Sequence, residues 1–166
     1  MESPPRVLLK FLGVSVNRES DPPTDLAVLG GTITVLLGEK DSIAGKLASC
    51  AAGLMSPRKG KVLAGSGMWP SHSREGRAAT GYINGQLEAP PDMTARGCVN
   101  LAVTAAAGNR KSASLETAEI IRWLDLENVA ATPLERLTPA ELQRTAMAVS
   151  MATSPELLVI DCPLHD

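Results

Sequence analysis

The sequence has few aromatic side chains and no excess of charge of either sign. Its 166 residues include only two Trp, one Tyr and one Phe, so nucleic-acid bases would find almost nothing to stack on. The formal net charge of −2 gives no electrostatic reason to expect DNA or RNA as a partner. Together these two features argue against a nucleic-acid-binding protein.

Cysteine and histidine are also scarce. Cys50, Cys98 and Cys162 are odd in number and far apart, which favours reduced thiols in a cytosolic setting over a disulfide framework. We interpret them as small packing residues rather than nucleophiles. His72 and His165 stand at no metal-ligand spacing from a cysteine, so the sequence predicts no metal site.

Long apolar runs are absent as well. The apolar stretches are only a few residues long, far short of the roughly 20 residues that a membrane-spanning helix needs. The N-terminal residues pass through Pro4-Pro5 into a strand-like segment and do not have the pattern of a signal peptide. Because 44% hydrophobic content over 166 residues is enough for one core, we expect a single domain covering residues 1–166. From the scattered cysteines we expect this domain to be cytoplasmic.

Strand-like and helix-like segments alternate along the chain. Strands are predicted at 7–16, 26–29, 32–37, 61–64, 80–83 and 157–160, with an irregular polar stretch at 65–77. Apolar spacing predicts helices over 46–55, around 99–106 and 120–124, and over 139–152. The wholly apolar run 157–160 is typical of a strand buried on both faces of a parallel sheet. This order predicts an α/β domain of the P-loop type with a helical insert at about 85–153.

Six stretches carry a resemblance to a known family: GTITVLLG (31–38), AAGLMSPRKGKV (51–62), GYINGQ (81–86), PPDMTARGCVNL (90–101), LTPAELQR (137–144) and SPELLVIDCP (154–163). From about residue 7 to its last residue, the chain resembles the nucleotide-binding domain of ABC transporters. The six stretches match the family's Walker A strand, the helix end after it, the Q-loop, the segment that follows, the signature and Walker B. The resemblance implies a parallel β-sheet core with N-terminal antiparallel strands and a helical subdomain, truncated at the C-terminal end.

Under this resemblance, the loop after residue 37 departs from a phosphate-binding sequence. In an ungapped alignment, Gly38 matches the first Walker A glycine, and Ala44 takes the place of the phosphate-binding lysine. Gly45 and Lys46 then take the places of the Ser/Thr pair. Reading Gly45-Lys46 as the true Gly-Lys pair needs two extra residues, and it leaves Leu47 where a Mg²⁺-binding hydroxyl belongs.

The chemistry of this loop is unfavourable for a phosphate. Glycines let backbone N–H groups turn toward a phosphate, whereas the branched side chain of Ile43 disfavours such conformations. Glu39 and Asp41 place negative charge beside a negative ligand. Losing two or three charge-assisted hydrogen bonds of roughly 1.5–3 kcal/mol each would lower nucleotide affinity by about 10² to 10⁶.

The Walker B and Q-loop stretches differ from the family as well. Asp161 keeps the carboxylate that the resemblance places near Mg²⁺, but Cys162 replaces the glutamate that activates water. Gln86 lies one position beyond the Q-loop glutamine in the ungapped alignment, where Gly85 falls instead. Asp161 is thus interpreted as a remnant or a strand-end cap, and Lys46 as a solvated helix residue.

The signature stretch predicts an ordinary helix start. Pro139 and Ala140 replace the two glycines of the motif, and Glu141 replaces its glutamine. Thr138 is then expected at the N-cap, with Pro139 in the first helical position and Glu141 completing a capping box. A helix end capped in this way no longer offers its N–H groups to a phosphate.

The sequence therefore predicts a catalytically inactive ABC ATPase-like subunit, structural or regulatory, in an ABC transporter or a related membrane-associated complex. Gly38, Lys46, Gln86 and Asp161 are expected as vestigial positions of the nucleotide site, with no catalytic residue, no metal and no cofactor. The expected partner is a transporter membrane subunit, an active ABC ATPase or a second copy, contacted through residues 85–107.

Three alternatives stay open. The first is a divergent ATP-binding and ATP-hydrolysing subunit that uses Lys46 and Asp161 with Mg²⁺-ATP. The second is a small-molecule-binding or oligomeric structural domain, built on the same fold without its nucleotide site. The third is a decayed relative that folds without a function.

Overall fold

A computed structural model describes residues 5–18, 22–38, 42–84, 87, 89–90, 92–107 and 110–161. These residues divide into two compact units. The first contains the described residues up to Tyr82 together with those from Glu156 onward, and the second runs from Ile83 to Pro155. That both units belong to one domain stays a prediction.

The first unit contains an antiparallel sheet. Strands β1 (Val7–Ser15), β2 (Thr24–Leu29), β3 (Lys59–Ala64) and β4 (Trp69–Pro70) lie in the order β2-β1-β3-β4. Each neighbouring pair is antiparallel, and Phe11 of β1 stands opposite Leu26 on one side and Val62 on the other. The structure confirms the strands predicted at 7–16, 26–29 and 61–64.

The first unit also contains helices α1 (Ile43–Ala51) and α2 (Arg74–Ala78) and strand β6 (Leu157–Ile160). Strand β5 (Thr80–Ile83), which belongs to this unit up to Tyr82, forms a two-stranded sheet with β6. Helix α1 lies earlier in the chain than the predicted 46–55, because the Ser42 side chain caps it and it ends before Gly53, whose φ is +70°. The prediction of an irregular stretch at 65–77 is wrong in part, since this stretch contains β4 and most of α2.

The strand predicted at 32–37 is wrong. Residues 33–38 belong to no strand, and no described residue forms a backbone hydrogen bond with them. The side chains of Ile33 and Leu37 are 94% and 83% exposed. Apolar composition predicted a strand here, but a strand also needs a neighbour, and none of the described strands pairs with this segment.

The expectation that residues 157–160 are buried on both faces is wrong too. Leu157 and Val159 pack against the core of the first unit, whereas Ile160 is 47% exposed. Among the described residues, β6 pairs with β5 alone, so its apolar side chains are covered only in part.

The second unit is helical. Its helices are α3 (Ala95–Ala107), α4 (Arg110–Trp123) and α5 (Pro139–Met151), with 3-10 turns at Glu127–Val129 and Leu134–Arg136. Apolar side chains spaced for one helix face fill its core: Val99 and Val103 of α3, Ile121 of α4, and Ala148 of α5. The structure confirms the helices that the apolar spacing predicted here.

Candidate functional site

The first turn of α1 lies beside the carboxylate that follows β6. A Cβ atom built on Gly45 would stand 3.8 Å from each carboxylate oxygen of Asp161. This places Gly45 against the carboxylate with no side chain between the helix backbone and the two oxygens. Glycine has no hydroxyl, so Gly45 contributes no side-chain ligand at this point.

Asp161 has a hydrogen-bond partner in the same unit. The Tyr82 hydroxyl, in β5, donates to Oδ2 of Asp161 at 3.1 Å. Burial raises the pKa of Tyr82, and the hydrogen bond to Asp161 and its negative charge raise it further, while a hydrogen bond with the Ser49 side chain acts in the opposite direction. Tyr82 therefore stays protonated at neutral pH and serves as a donor. Sequence reasoning missed this residue.

Lys46, the expected remnant of a phosphate contact, is engaged elsewhere. Its Nζ atom donates to Oδ1 of Asn17, which lies just after β1, and its side chain is exposed. Within the part of the chain that the structure describes, no hydrogen bond or ion pair joins Lys46 to Asp161. Of the positions expected to be vestigial, the structure places Asp161 beside α1 and gives Lys46 a different partner.

The N-terminus of α1 is capped by its own chain. The backbone N–H of Ala44 donates to Oγ of Ser42 at 3.3 Å. Gly38 lies directly against this cap, since a Cβ built on it would stand 3.0 Å from Cβ of Ala44 and 3.1 Å from Cβ of Ser42. Sequence reasoning also missed Ser42, although a serine just before helix-forming residues is a recognised N-cap signal.

The N-terminus of α5 carries the capping box that the sequence predicted. The Thr138 hydroxyl accepts from the backbone N–H of Glu141 at 3.4 Å. Oε2 of Glu141 accepts from the backbone N–H of Thr138 at 2.8 Å, and Pro139 is the first helical residue. The hydrogen bonds from the Thr138 backbone and side chain hold the pKa of Glu141 below its usual value.

This capping box predicts a pH-dependent stability. The folded-state pKa of Glu141 is depressed. The stability that its carboxylate contributes is therefore complete above its ordinary pKa of 4.5, and it is lost as pH falls through the lowered folded-state pKa. Thr138→Ala is expected to lower the free energy of unfolding by about 1 kcal/mol at pH 7, and by less in acid. Urea denaturation at pH 7 and pH 3 measures both values.

Glu141→Gln is the matched control for this prediction. Glutamine can close the same capping box without a titrating group. The loss caused by Thr138→Ala should therefore be the same at both pH values in the Gln background. If Thr138→Ala lowered the free energy of unfolding as much at pH 3 as at pH 7 with Glu141 present, the assigned role of the Glu141 carboxylate would be contradicted.

Comparison with known proteins settles the family. The family model described as "ABC transporter" matches residues 23–165. The chain belongs to the ABC transporter family.

Relatives of this ABC-family chain include ATP-binding proteins of import systems. It is 30% identical over 145 residues to the molybdenum import ATP-binding protein ModC of Pseudomonas aeruginosa, an alignment that covers 84% of the chain and 40% of ModC. It is 28% identical over 160 residues to the zinc import ATP-binding protein ZnuC of Pseudomonas entomophila, covering 96% of the chain and 56% of ZnuC. The chain thus spans about half the length of these relatives.

Solved structures show the ABC ATPase fold. The cbiO1 protein of Clostridium perfringens, part of the ABC transporter complex cbiONQ, superposes with a TM-score of 0.77 at 17% identity, over 93% of this chain and 65% of that one. An ATP-binding subunit of an ABC transporter gives a TM-score of 0.75, also at 17% identity, over 92% of this chain and 65% of that one. The predicted fold class is confirmed, and at this identity the likeness establishes the fold alone.

Several positions discussed in the sequence analysis lie outside the described residues. They are Glu39, Asp41, Gly85, Gln86, Cys162 and His165. Cys50 and Cys98 are buried, and burial raises the pKa of both thiols, so neither is an activated nucleophile. No cluster of His, Cys, Asp or Glu suited to a metal ion occurs in the ranges given above.

The surface expected to contact a partner, residues 85–107, is described in part. A cavity of about 200 Å³ in the second unit is lined by apolar and acidic residues: Leu87, Ala89, Pro90, Asp92, Met93, Leu134, Glu135 and Leu142. Of the helices whose residues are placed, none could cross a bilayer by length and apolarity.

Proposed function

We propose that this ABC-family chain is a catalytically inactive ATPase-like subunit, a structural or regulatory component of an ABC transporter or a related membrane-associated complex. The proposal rests mainly on Gly45, the residue that α1 presents to Asp161. In a working P-loop a Ser/Thr hydroxyl binds Mg²⁺ and the preceding lysine reaches the phosphates. Here Ala44 and Gly45 stand in sequence at this turn, without an ammonium or a hydroxyl.

Lys46 does not make up for this loss. Its ammonium group is bonded to Asn17, so it would have to give up that bond to reach a phosphate. Two missing charge-assisted contacts of roughly 1.5–3 kcal/mol each lower nucleotide affinity by about 10² to 10⁴. A dissociation constant of about 1 μM would rise to about 0.1–10 mM.

The start of α5 supports the same proposal. In a family member, the N-terminus of this helix would face a phosphate of a nucleotide held by a second chain. Here the capping box already occupies the N–H groups of Thr138 and Glu141. The Glu141 carboxylate would also repel a phosphate, since both are negative.

The proposed role is therefore exerted through protein contacts, by a cytoplasmic chain peripheral to the membrane and without a nucleotide cofactor. The relatives are subunits of import systems, and cbiO1 is part of a transporter complex, which favours a transporter membrane subunit or an active ABC ATPase as partner. Self-association is the third possibility. The cavity lined by Leu87, Pro90 and Met93 is where we expect contact.

The test is calorimetric titration with Mg²⁺-ATP of three proteins: the wild type, Asp161→Asn, and the double variant Ala44→Lys/Gly45→Ser. The wild type is expected to give no binding heat up to millimolar nucleotide. The double variant, which restores an ammonium and a hydroxyl, is expected to bind about 10²- to 10⁴-fold more tightly than the wild type.

One result would overturn the proposal. If the wild type binds Mg²⁺-ATP with a Kd below about 100 μM, and Asp161→Asn abolishes this binding, the nucleotide site is functional. The chain would then be the divergent ATP-binding subunit, with Lys46 leaving Asn17 to contact the phosphates. Steady-state phosphate release from the same samples would show whether it also hydrolyses ATP.

A further inference from the structure

We propose that Asp161 serves in this chain as the acceptor end of a hydrogen-bond network, Ser49–Tyr82–Asp161, that ties α1 to β5 and β6. The inference rests on the proposed function in one respect: Asp161 can serve the network fully because it has no metal ion to hold. In this network the Asp161 carboxylate is a positioning residue, and it acts by accepting the hydrogen bond from Tyr82.

The geometry joins three elements that are far apart in sequence. Tyr82 lies in β5, and Asp161 directly follows β6, so their 3.1 Å hydrogen bond spans 79 residues of chain and ties the end of β6 to the neighbouring strand. The Ser49 side chain, on α1, is hydrogen-bonded to the same phenol. Gly45 of α1 lies beside the same carboxylate, since a Cβ atom built on it would be in ordinary van der Waals contact with both oxygens at 3.8 Å.

The donor and acceptor roles are compatible along the whole network. An ionised carboxylate can only accept, a phenol can donate and accept at once, and a serine hydroxyl can donate. Tyr82 therefore donates to Asp161 and accepts from Ser49. Hydrogen bonds linked in this way polarise one another, so removing one member weakens the next bond as well.

A double-mutant cycle tests the network in the full chain, with stability read from urea denaturation. Tyr82→Phe and Asp161→Ala are each expected to lower the folding equilibrium constant about tenfold, because each removes one partner of a charged hydrogen bond. The double variant should lose little more than either single one. A control cycle of Tyr82→Phe with Thr32→Ala, an exposed residue whose hydroxyl donates to the backbone carbonyl of Leu29, should be additive. Additivity of Tyr82→Phe with Asp161→Ala would overturn the inference.

A spectroscopic measurement gives a second, independent test. Tyr82 is the one tyrosine in the sequence, so the absorbance of tyrosinate reports on this network alone. The phenol is expected to titrate above its ordinary pKa of 10.0 in the wild type, and closer to that value in Asp161→Asn. Asp125→Asn, which removes a charge from the second unit, should leave the curve unchanged. Identical curves for the wild type and Asp161→Asn would also overturn the inference.

The network and the proposed inactivity can fail separately. Mn²⁺ alone, added to the samples of the cycle, should leave the unfolding midpoint of the wild type unchanged. A Mn²⁺-dependent rise that disappears in Asp161→Ala, but persists in Tyr82→Phe, would contradict the proposed inactivity. The coupling energy between Tyr82 and Asp161, measured without metal, would still decide by itself whether the two residues form the proposed network.

Discussion

Gly53→Ala is expected to lower the free energy of unfolding by about 2–6 kcal/mol, the sum of a backbone cost and a steric cost of roughly 1–3 kcal/mol each. Gly53 has φ +70°, a left-handed conformation that alanine adopts only with strain. A Cβ atom there would lie 2.7 Å from the backbone carbon of Ser71 and 2.9 Å from Cγ of Arg77. Because the clash is partly with backbone, side-chain rotation cannot relieve it.

Gly31→Ala is the matched control for this variant. Gly31 has a similar φ of +75°, but a Cβ built on it would have no atom within 4 Å. Alanine at this position should cost only the energy of the left-handed backbone conformation, the same roughly 1–3 kcal/mol. Urea denaturation of the two variants side by side measures the difference. Equal losses would show that the backbone of Ser71 moves away and that the turn after α1 is softer than the structure indicates.

Phe11→Ala is expected to lower the free energy of unfolding by about 3–5 kcal/mol, the usual cost of removing a large buried ring. Phe11 is 1% exposed and belongs to the core of the first unit, together with Leu47 of α1. It is the one phenylalanine in the sequence, and in the sheet it stands opposite Leu26 on one side and Val62 on the other. Chemical denaturation followed by circular dichroism gives the value.

Two companion variants make this result interpretable. Phe11→Leu keeps most of the volume and is expected to cost less than about 1.5 kcal/mol. Leu12→Ala alters the next residue of β1, whose side chain is on the exposed face, and should cost less than Phe11→Ala. If Phe11→Ala cost no more than Leu12→Ala, the sheet would not be packed around the ring as described.

The parts of the fold that follow from local sequence were predictable. Alternating burial along β1 and helical spacing in α3 repeat within a few residues, so the chain itself carries the pattern. The capping box was predicted to the residue, because all of its atoms lie between Thr138 and Glu141. Family membership followed for a related reason, since it depends on short stretches in a fixed order.

The predictions that were wrong or missing depend on contacts between residues far apart in sequence, which no local pattern contains. An apolar run at 32–37 predicts a strand, but whether it forms one depends on a neighbouring strand elsewhere in the chain. Burial of β6 on both faces depends in the same way on a second partner. The hydrogen bond from Tyr82 to Asp161 was not foreseen because nothing near either residue in sequence points to the other. Function is a further step, since a shared fold does not establish activity.

The exposed segment that follows Gly31 has a consequence for the behaviour of the protein in solution. Residues 32–37 combine β-branched and other apolar side chains with no charge and no proline, the composition typical of segments that nucleate aggregation. The formal net charge of −2 offers little electrostatic repulsion between molecules to oppose it. Colloidal stability should therefore be limited by this short segment, so that the usable protein concentration depends on what covers it.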